Sequence, residues 1–305
     1  MYDTIILGGG PAGLTAGIYC SRYNLDTLIL TEGIGGTITD THLMENWPTE
    51  KQISGDLFAK KVSEHAKEEG TKIEQKRVSK IKKEENQFKI TTFDDEEYTA
   101  KSILLAFGSE RKKLGLEKEE EFLGKGLSYC ATCDGMFFKD KTVAVVGGGN
   151  AGVNSALYLS KVAKKVYLYT HGEALRASSS WIEKIKDKEN IDISYFTEIK
   201  DLLGDEKLEK IIINKDGKEE KVKVDGLFIE IGSSPSPLPE HNFELEKDSN
   251  NFIKVDQSQQ TSQDMVWAAG DITDNSNKFF QAITAASEGA VAAQNIAKTL
   301  IKRIH

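Results

Sequence analysis

The chain is poor in cysteine: three in 305 residues, at Cys20, Cys130 and Cys133. Three thiols do not make a disulfide framework. Long apolar runs are missing too. No stretch approaches the roughly 18 consecutive apolar residues of a membrane-spanning helix, so no membrane association is expected. Positive charge is in deficit. Against 48 acidic side chains stand 40 Lys and Arg, a net charge of −8, which argues against nucleic acid, whose binding needs a basic face. A basic leader and an apolar signal core are absent from the start, where Tyr2-Asp3-Thr4-Ile5 opens directly as a strand. The expected location is therefore cytoplasmic. Proline is sparse, and three of the five fall together at Pro235, Pro237 and Pro239. Such a stretch stiffens a chain and suits a domain boundary. With 29% charged and 39% apolar residues, the composition is that of a globular chain long enough for two domains.

Against this background two glycine-rich turns stand out. Thr4-Ile5-Ile6-Leu7 runs into Gly8-Gly9-Gly10-Pro11-Ala12-Gly13, followed by a helical stretch from Leu14 to Arg22 and a strand from Thr27 to Leu30. Strand, Gly-x-Gly-x-x-Gly, helix, strand and acid is the order of a dinucleotide site. The glycines let the backbone approach a pyrophosphate, and the helix N-terminus supplies free N–H groups. Glu32 falls about 20 residues beyond the turn, where a carboxylate accepts a bond from a ribose hydroxyl. The same pattern recurs as Val145-Val146-Gly147-Gly148-Gly149-Asn150-Ala151-Gly152, preceded by a strand from Thr142 and followed by a helix to about Ala163 and a strand from Val166 to Tyr169. The recurrence predicts two nucleotide folds of one kind.

Between and beyond these turns the pattern gives further elements. Ser54 to Glu69 is expected to be an amphipathic helix. Thr71 to Thr99 alternates polar and apolar residues and predicts a small antiparallel sheet, and Ser102 to Ala106 a buried strand. Arg111 to Lys125, dense in charge, predicts a crossing between domains. Strands follow at Ile191–Phe196, Ile211–Asn214 and Gly226–Ile231. Met265 to Asp271 is a strand ending in Gly-Asp, and Gln281 to Leu300 an Ala-rich helix returning to the first domain. The expected fold class is α/β: two Rossmann-like dinucleotide-binding domains of the three-layer ββα type, the second (113–240) inserted into the first (1–112 and 241–305).

Two of the three cysteines sit in one loop, Cys130-Ala131-Thr132-Cys133, followed by Asp134. In a CxxC pair one thiol attacks a disulfide while the other waits to resolve the mixed disulfide. Asp134 is placed to act as general acid–base, or as the N-cap of a following helix. Zinc is the competing use of the pair. A structural zinc site takes a full set of ligands, and only Cys20 and the scattered His42, His65, His171, His241 and His305 remain. No metal is expected. Cys20 lies on the apolar face of the first helix, as a small buried hydrophobe.

These residues resemble the bacterial-type, low-molecular-weight thioredoxin reductases, within the pyridine nucleotide-disulfide oxidoreductases. The likeness rests on Cys130-Ala131-Thr132-Cys133-Asp134-Gly135 just before the second glycine-rich turn. Glu45-Asn46-Trp47-Pro48, Ala268-Ala269-Gly270-Asp271 and Gln281-Ala282-Ile283-Thr284 follow in the right order. The resemblance implies a homodimer with FAD in the first domain and a nicotinamide nucleotide in the second. Gly8, Gly10, Pro11, Ala12 and Gly13 would hold the FAD pyrophosphate and Glu32 the ribose. Gly36, Thr37 and Asn46 would line the flavin and its ribityl chain, and Val78 would meet adenine. Gly108, Gly270, Asp271, Gln281 and Ala282 complete the set. Cys130 and Cys133 would be the redox pair, and thioredoxin or a thioredoxin-like protein the acceptor. The family also implies a domain rotation that moves the dithiol between flavin and thioredoxin. Met136 and Phe137 stand at positions where the family often has an aromatic pair that helps dock thioredoxin; plain core packing is the other use of such residues.

Departures concern the electron donor. Gly147, Gly149, Asn150, Ala151 and Gly152 are the expected nucleotide cradle, with Glu173 and Arg176 beyond it. Family members that use NADPH carry His-Arg-Arg-x-x-x-Arg where this chain has His171-Gly172-Glu173-Ala174-Leu175-Arg176. A carboxylate repels a 2′-phosphate and suits a bare ribose, so NADH is expected over NADPH. Asn154 stands where Glu is usual and Ser233 where His is frequent. Alternatives are a non-nicotinamide donor (ferredoxin or a deazaflavin), a flavin dithiol oxidase, and a nucleotide-responsive redox sensor.

Overall fold

The computed structural model describes residues 1–40, 44 and 46–304. Glu45 of the Glu45-Asn46-Trp47-Pro48 motif, His42 and His305 lie outside the described residues. In chain order the strands and helices begin β1 (Tyr2–Leu7), α1 (Pro11–Arg22), β2 (Thr27–Thr31), α2 (Gly55–Glu68), β3 (Lys72–Gln75), β4 (Val78–Lys83), β5 (Phe88–Thr92), β6 (Glu97–Leu105) and β7 (Ser109–Arg111). There follow α3 (Glu119–Phe122), β8 (Leu127–Ser128), α4 (Ala131–Asp134), β9 (Thr142–Val146), α5 (Asn150–Leu159), β10 (Lys165–Tyr169), α6 (Ser179–Lys186), β11 (Ile191–Ser194), β12 (Thr197–Leu203), β13 (Lys210–Lys215), β14 (Lys218–Lys223), β15 (Gly226–Ile229) and β16 (Ser233–Pro235). The last are β17 (Glu240–His241), β18 (Val266–Ala268) and α7 (Ala282–Ile304). Two compact units result: Met1–Glu110 with Ser234–His305, and Arg111–Ser233.

The first unit is built on one sheet whose strand order is β17-β4-β5-β6-β1-β2-β3, with β18 also on β6. Its centre is parallel and buried on both faces, so Ile5, Ile6 and Leu7 form an unbroken apolar run rather than an alternating one. The antiparallel pairing expected within Thr71 to Thr99 is formed by β4, β5 and the start of β6, as part of this one sheet, while β3 pairs parallel with β2. The buried strand expected at Ser102 to Ala106 is the inner half of β6, which pairs with β5 through Glu97–Ala100 and with β18 through Ile103–Leu105. Polar alternation in the outer half and full burial in the inner half are two environments of a single strand.

Helices α1 and α7 close the unit. Both are rich in small residues: Ala12, Gly13, Ala16 and Gly17 are buried in α1, and Ala285, Ala286, Ala292, Ala293 and Ala297 in α7. A Cβ on Gly289 would lie 2.1 Å from the Ala12 carbonyl oxygen, so the two backbones touch there. Trp267 on β18 is fully buried, and its indole N–H finds the partner that burial demands in Asn295 Oδ1 on α7, at 2.8 Å.

The second unit carries a parallel sheet in the order β11-β10-β9-β15-β8 and an antiparallel sheet β12-β13-β14. Val143, Val145, Leu168 and Phe228 pack under α5, while Ala144, Leu227, Leu202 and Ile211 fill the space toward the smaller sheet. Arg111 to Lys125 is not a bare crossing. Phe122 is fully buried in this core, Leu114 and Leu116 pack against it, and α3 lies within the stretch. Its charge density hid one inward-facing face. Among the described residues no helix is long and apolar enough to cross a membrane.

The α1–α7 contact predicts that Gly289→Ala forces two backbones apart. The expected loss is about 1–3 kcal/mol of stability, read from urea denaturation of the variant beside the wild type.

Candidate functional site

In the first glycine-rich turn, Gly8 has φ +121°, and Gly13 in the first turn of α1 lies so close behind it that a Cβ there would lie 1.9 Å from the Gly8 carbonyl oxygen. Gly10 caps α1 in extended conformation. No described side chain caps the helix, and its first turn holds no acid. A Cβ on Gly10 would meet only the Gly35 oxygen, at 3.8 Å, so the turn is open above the helix N-terminus. Open space against uncapped N–H groups fits a bound pyrophosphate. Thr31 fastens the turn: its Oγ1 accepts the Gly9 N–H at 3.0 Å and donates to the Gly33 carbonyl at 2.7 Å.

The other FAD candidates gather here. Gly35 donates to the Gly9 carbonyl at 2.7 Å, which brings Gly36 and exposed Thr37 beside the turn. Ala106 lies against Gly8 and leads into Gly108. Gly270 approaches Ala12, bringing Asp271 with it. Asn46 Nδ2 donates to Gln281 Oε1 at 2.8 Å, joining two candidates far apart in sequence, and Ala282 begins α7 next to Gln281. Glu32 is exposed and its Oε1 lies 2.8 Å from Arg77 Nε, which sets Val78, the next residue, near the same end. The pattern of the sequence did not single out Arg77 or Glu288. Glu288 is buried under the Gly-Asp turn, accepting the Gly270 N–H at 2.7 Å and the Ser276 hydroxyl. Burial pushes its carboxyl above the usual range, against the bonds from Ser276, Gly270 and Thr273.

The second turn repeats the device inside the second unit. Gly147 has φ +141°, a Cβ on Gly152 would lie 1.9 Å from the Gly147 oxygen, and Gly149 has open space around it. Gly149 caps α5 with no described side-chain bond. The loop after β10 fastens to this turn by main chain: Arg176 N–H donates to the Gly148 carbonyl at 2.7 Å, and Ser178 N–H to Asn150 Oδ1 at 2.8 Å. Glu173 and Arg176 are both exposed, with Ala151 exposed at the helix start.

Cys130 and Cys133 form a disulfide at the start of α4. Both are half-buried, while Cys20 is a free buried thiol whose pKa burial raises to about 12. Asp134 occupies the N-cap position of the following 3₁₀ turn (Gly135–Phe138), but its side chain makes no cap bond. Instead the Ser128 hydroxyl donates to Asp134 Oδ2 at 2.6 Å and accepts the Cys130 N–H at 3.0 Å. Ser128 thus ties the acid to the disulfide loop, a role the sequence did not signal. Met136 and Phe137 are about half exposed, at 50% and 48%, so core packing does not account for them.

Residues 2–289 match the family described as pyridine nucleotide-disulphide oxidoreductase. The chain belongs to this family. It is 35% identical over 303 residues to the thioredoxin reductase of Bacillus subtilis strain 168, covering 97% of this chain and 94% of that protein. The crystal structure of thioredoxin reductase from Streptococcus pyogenes MGAS5005 matches with TM-score 0.85 at 33% identity, covering 99% of both chains. Thioredoxin reductase from Giardia duodenalis gives 0.84 at 33% identity, over 98% of this chain and 99% of that one. The two Rossmann-like folds are those of these structures.

In this pyridine nucleotide-disulphide oxidoreductase a second buried acid braces the approach to the disulfide. Glu119 accepts the N–H groups of Leu114, Gly115 and Leu116 at 3.0, 2.8 and 3.3 Å, and the hydroxyl of Tyr129, the residue before Cys130. Burial raises the Tyr129 pKa, and Glu119 raises it further. Glu119→Ala leaves those N–H groups without an acceptor, each at a cost of about 1–3 kcal/mol. Faster hydrogen exchange confined to residues 114–116 and the 129–133 loop is the expected outcome by mass spectrometry.

Proposed function

We propose that the chain is a flavin-dependent thioredoxin-disulfide reductase, acting as a homodimer, that takes two electrons from a nicotinamide nucleotide and delivers them through Cys130 and Cys133. The observation that carries this reading is a disulfide in a CxxC loop on the same unit as an open glycine-rich cradle, in a chain that carries a second such cradle. The names of the relatives in Bacillus subtilis and Streptococcus pyogenes support the acceptor.

FAD would be held by Gly8, Gly10, Pro11, Ala12 and Gly13, with Glu32, Gly36, Thr37, Asn46, Val78, Gly108, Gly270, Asp271, Gln281 and Ala282 around it. When bound, it supplies a carrier that accepts hydride and passes on electron pairs. The chain's own residues do the rest. Asp134 holds or releases the proton of the leaving thiol, and the Ser128 hydroxyl fixes its carboxylate against the loop. Met136 and Phe137 offer apolar surface beside the disulfide for the incoming protein. Gly147, Gly149, Asn150, Ala151 and Gly152 cradle the donor's pyrophosphate, with Glu173 and Arg176 on the loop fastened over them. An exposed carboxylate at Glu173 disfavours a 2′-phosphate, so the donor is read as NADH.

Cys133→Ser is expected to lower thioredoxin-disulfide reduction to background while the bound flavin keeps its absorbance. Full activity in that variant would refute the catalytic pair. Steady-state rates with NADH and NADPH are expected to favour NADH by about tenfold or more in kcat/KM, the size of one unfavourable charge contact. A clear NADPH preference would reverse the donor assignment. Failure of both to bleach the flavin anaerobically would move it to ferredoxin or a deazaflavin.

A further inference from the structure

One carboxylate lies behind the disulfide loop and is not used in the reading above. Glu230 follows β15, and its own N–H donates to the Val146 carbonyl at 2.8 Å. Its backbone oxygen lies against Gly147 of the second cradle. Its side chain is partly buried and turns toward two groups. Ser155 on α5 donates its hydroxyl to Glu230 Oε1 at 2.7 Å. The main-chain N–H of Ala131, the residue that follows Cys130, faces the carboxylate and favours its ionised form. Ala131 is itself buried, at 1% exposure, so this contact is shielded from water.

We propose that Glu230 is a positioning residue and the buried proton acceptor coupled to reduction of the Cys130–Cys133 disulfide. The inference rests on the disulfide-reductase reading of the Cys pair. Opening the S–S bond with two electrons, from a dithiol or a reduced flavin, leaves two sulfurs with two added negative charges. One proton goes to one sulfur, and the other sulfur remains a thiolate. A second proton goes to the Glu230 carboxylate. The site then carries one negative charge before reduction, on Glu230, and one after it, on the thiolate.

The physical reason is that two anions joined through one peptide unit repel each other, so the arrival of one favours neutralising the other. Protonation also removes the charge that the Ala131 N–H faces, at the base of the helix that carries the sulfurs. Burial already raises the Glu230 carboxyl above the usual range, with the Ser155 bond, the charge of Arg111 and the Ala131 N–H opposing. Among the described residues, Arg111 on β7 is the charged group that faces it. Ser155 on α5 and the Gly147 backbone beyond β9 bring no charge, and on α4 Asp134 is held by Ser128. Glu230 directly follows the strand that ends beneath the second cradle, so one residue faces both that turn and the disulfide loop.

The test is the pH dependence of the Cys130–Cys133 midpoint potential in the flavin-loaded protein, equilibrated in dithiol buffers and read by thiol labelling and mass spectrometry. It covers the pH range in which one sulfur of the reduced pair is a thiolate. Wild type is expected to take up about two protons per electron pair and Glu230→Gln about one. Equal proton counts would overturn the proposal. Infrared difference spectra of wild type, reduced minus oxidised, supply a reading that needs no variant. A protonated carboxyl band is expected on reduction, shifting when the protein is made with ¹³C-labelled glutamate. No band, or a band unmoved by the label, would also overturn it. If dithiols leave the pair oxidised at every pH, the reductase reading fails and takes this one with it.

Discussion

A single steric fact organises both halves of the molecule. The carbonyl oxygen of the glycine that ends a strand occupies the space where the third glycine of the following turn would carry a Cβ. It happens at Gly8 and Gly13, and again at Gly147 and Gly152. With strand end and helix start pinned this closely, the first N–H groups of α1 and α5 face outward with no described side chain over them. The neighbouring features depend on that placement. Thr31 and Thr170 sit against the middle glycine of their turns, the Gly35 and Arg176 amides close over them, and in the first unit Gly270 and α7 fit against the start of α1. A larger residue at any of these contacts would not trim an edge; it would move the helix that follows the turn.

The sequence makes such features legible because the requirement is local. Glycine spacing, a buried strand before it and an acid after it are all written within some thirty residues, and the CxxC loop with its following acid is more local still. What is decided by distant contact is not written there. The run from Thr71 to Ala106 alternates in one part and is apolar in another, and the eye divides it. The chain instead runs one strand, β6, past two different neighbours, β5 and β18. Arg111 to Lys125 looks like solvent-facing linker because Glu119 is one acid among several, and only the fold turns it inward onto three amides and Tyr129. Ser128 meets the loop only because the fold brings its hydroxyl to Asp134 and the Cys130 amide, and Glu230 only because the fold sets it behind α5; neither belongs to a spacing pattern that can be read along the chain.

Around the disulfide two carboxylates are held differently. Asp134 accepts the hydroxyl of Ser128, which in turn takes the Cys130 N–H. Glu230 accepts the Ser155 hydroxyl on α5 and faces the Ala131 amide. Cys20, by contrast, lies in the apolar packing of α1, with its thiol held protonated by burial and no part in this arrangement. Two carboxylates in two environments thus flank one short segment.

The loop over the second cradle is anchored by the amides of Arg176 and Ser178, bonds that do not depend on which side chain residues 172 to 176 carry. What the loop displays and how it is attached are therefore separable traits. Exposed residues there can be exchanged without removing either amide bond, so the turn beneath keeps its fastening while the surface presented beside it varies.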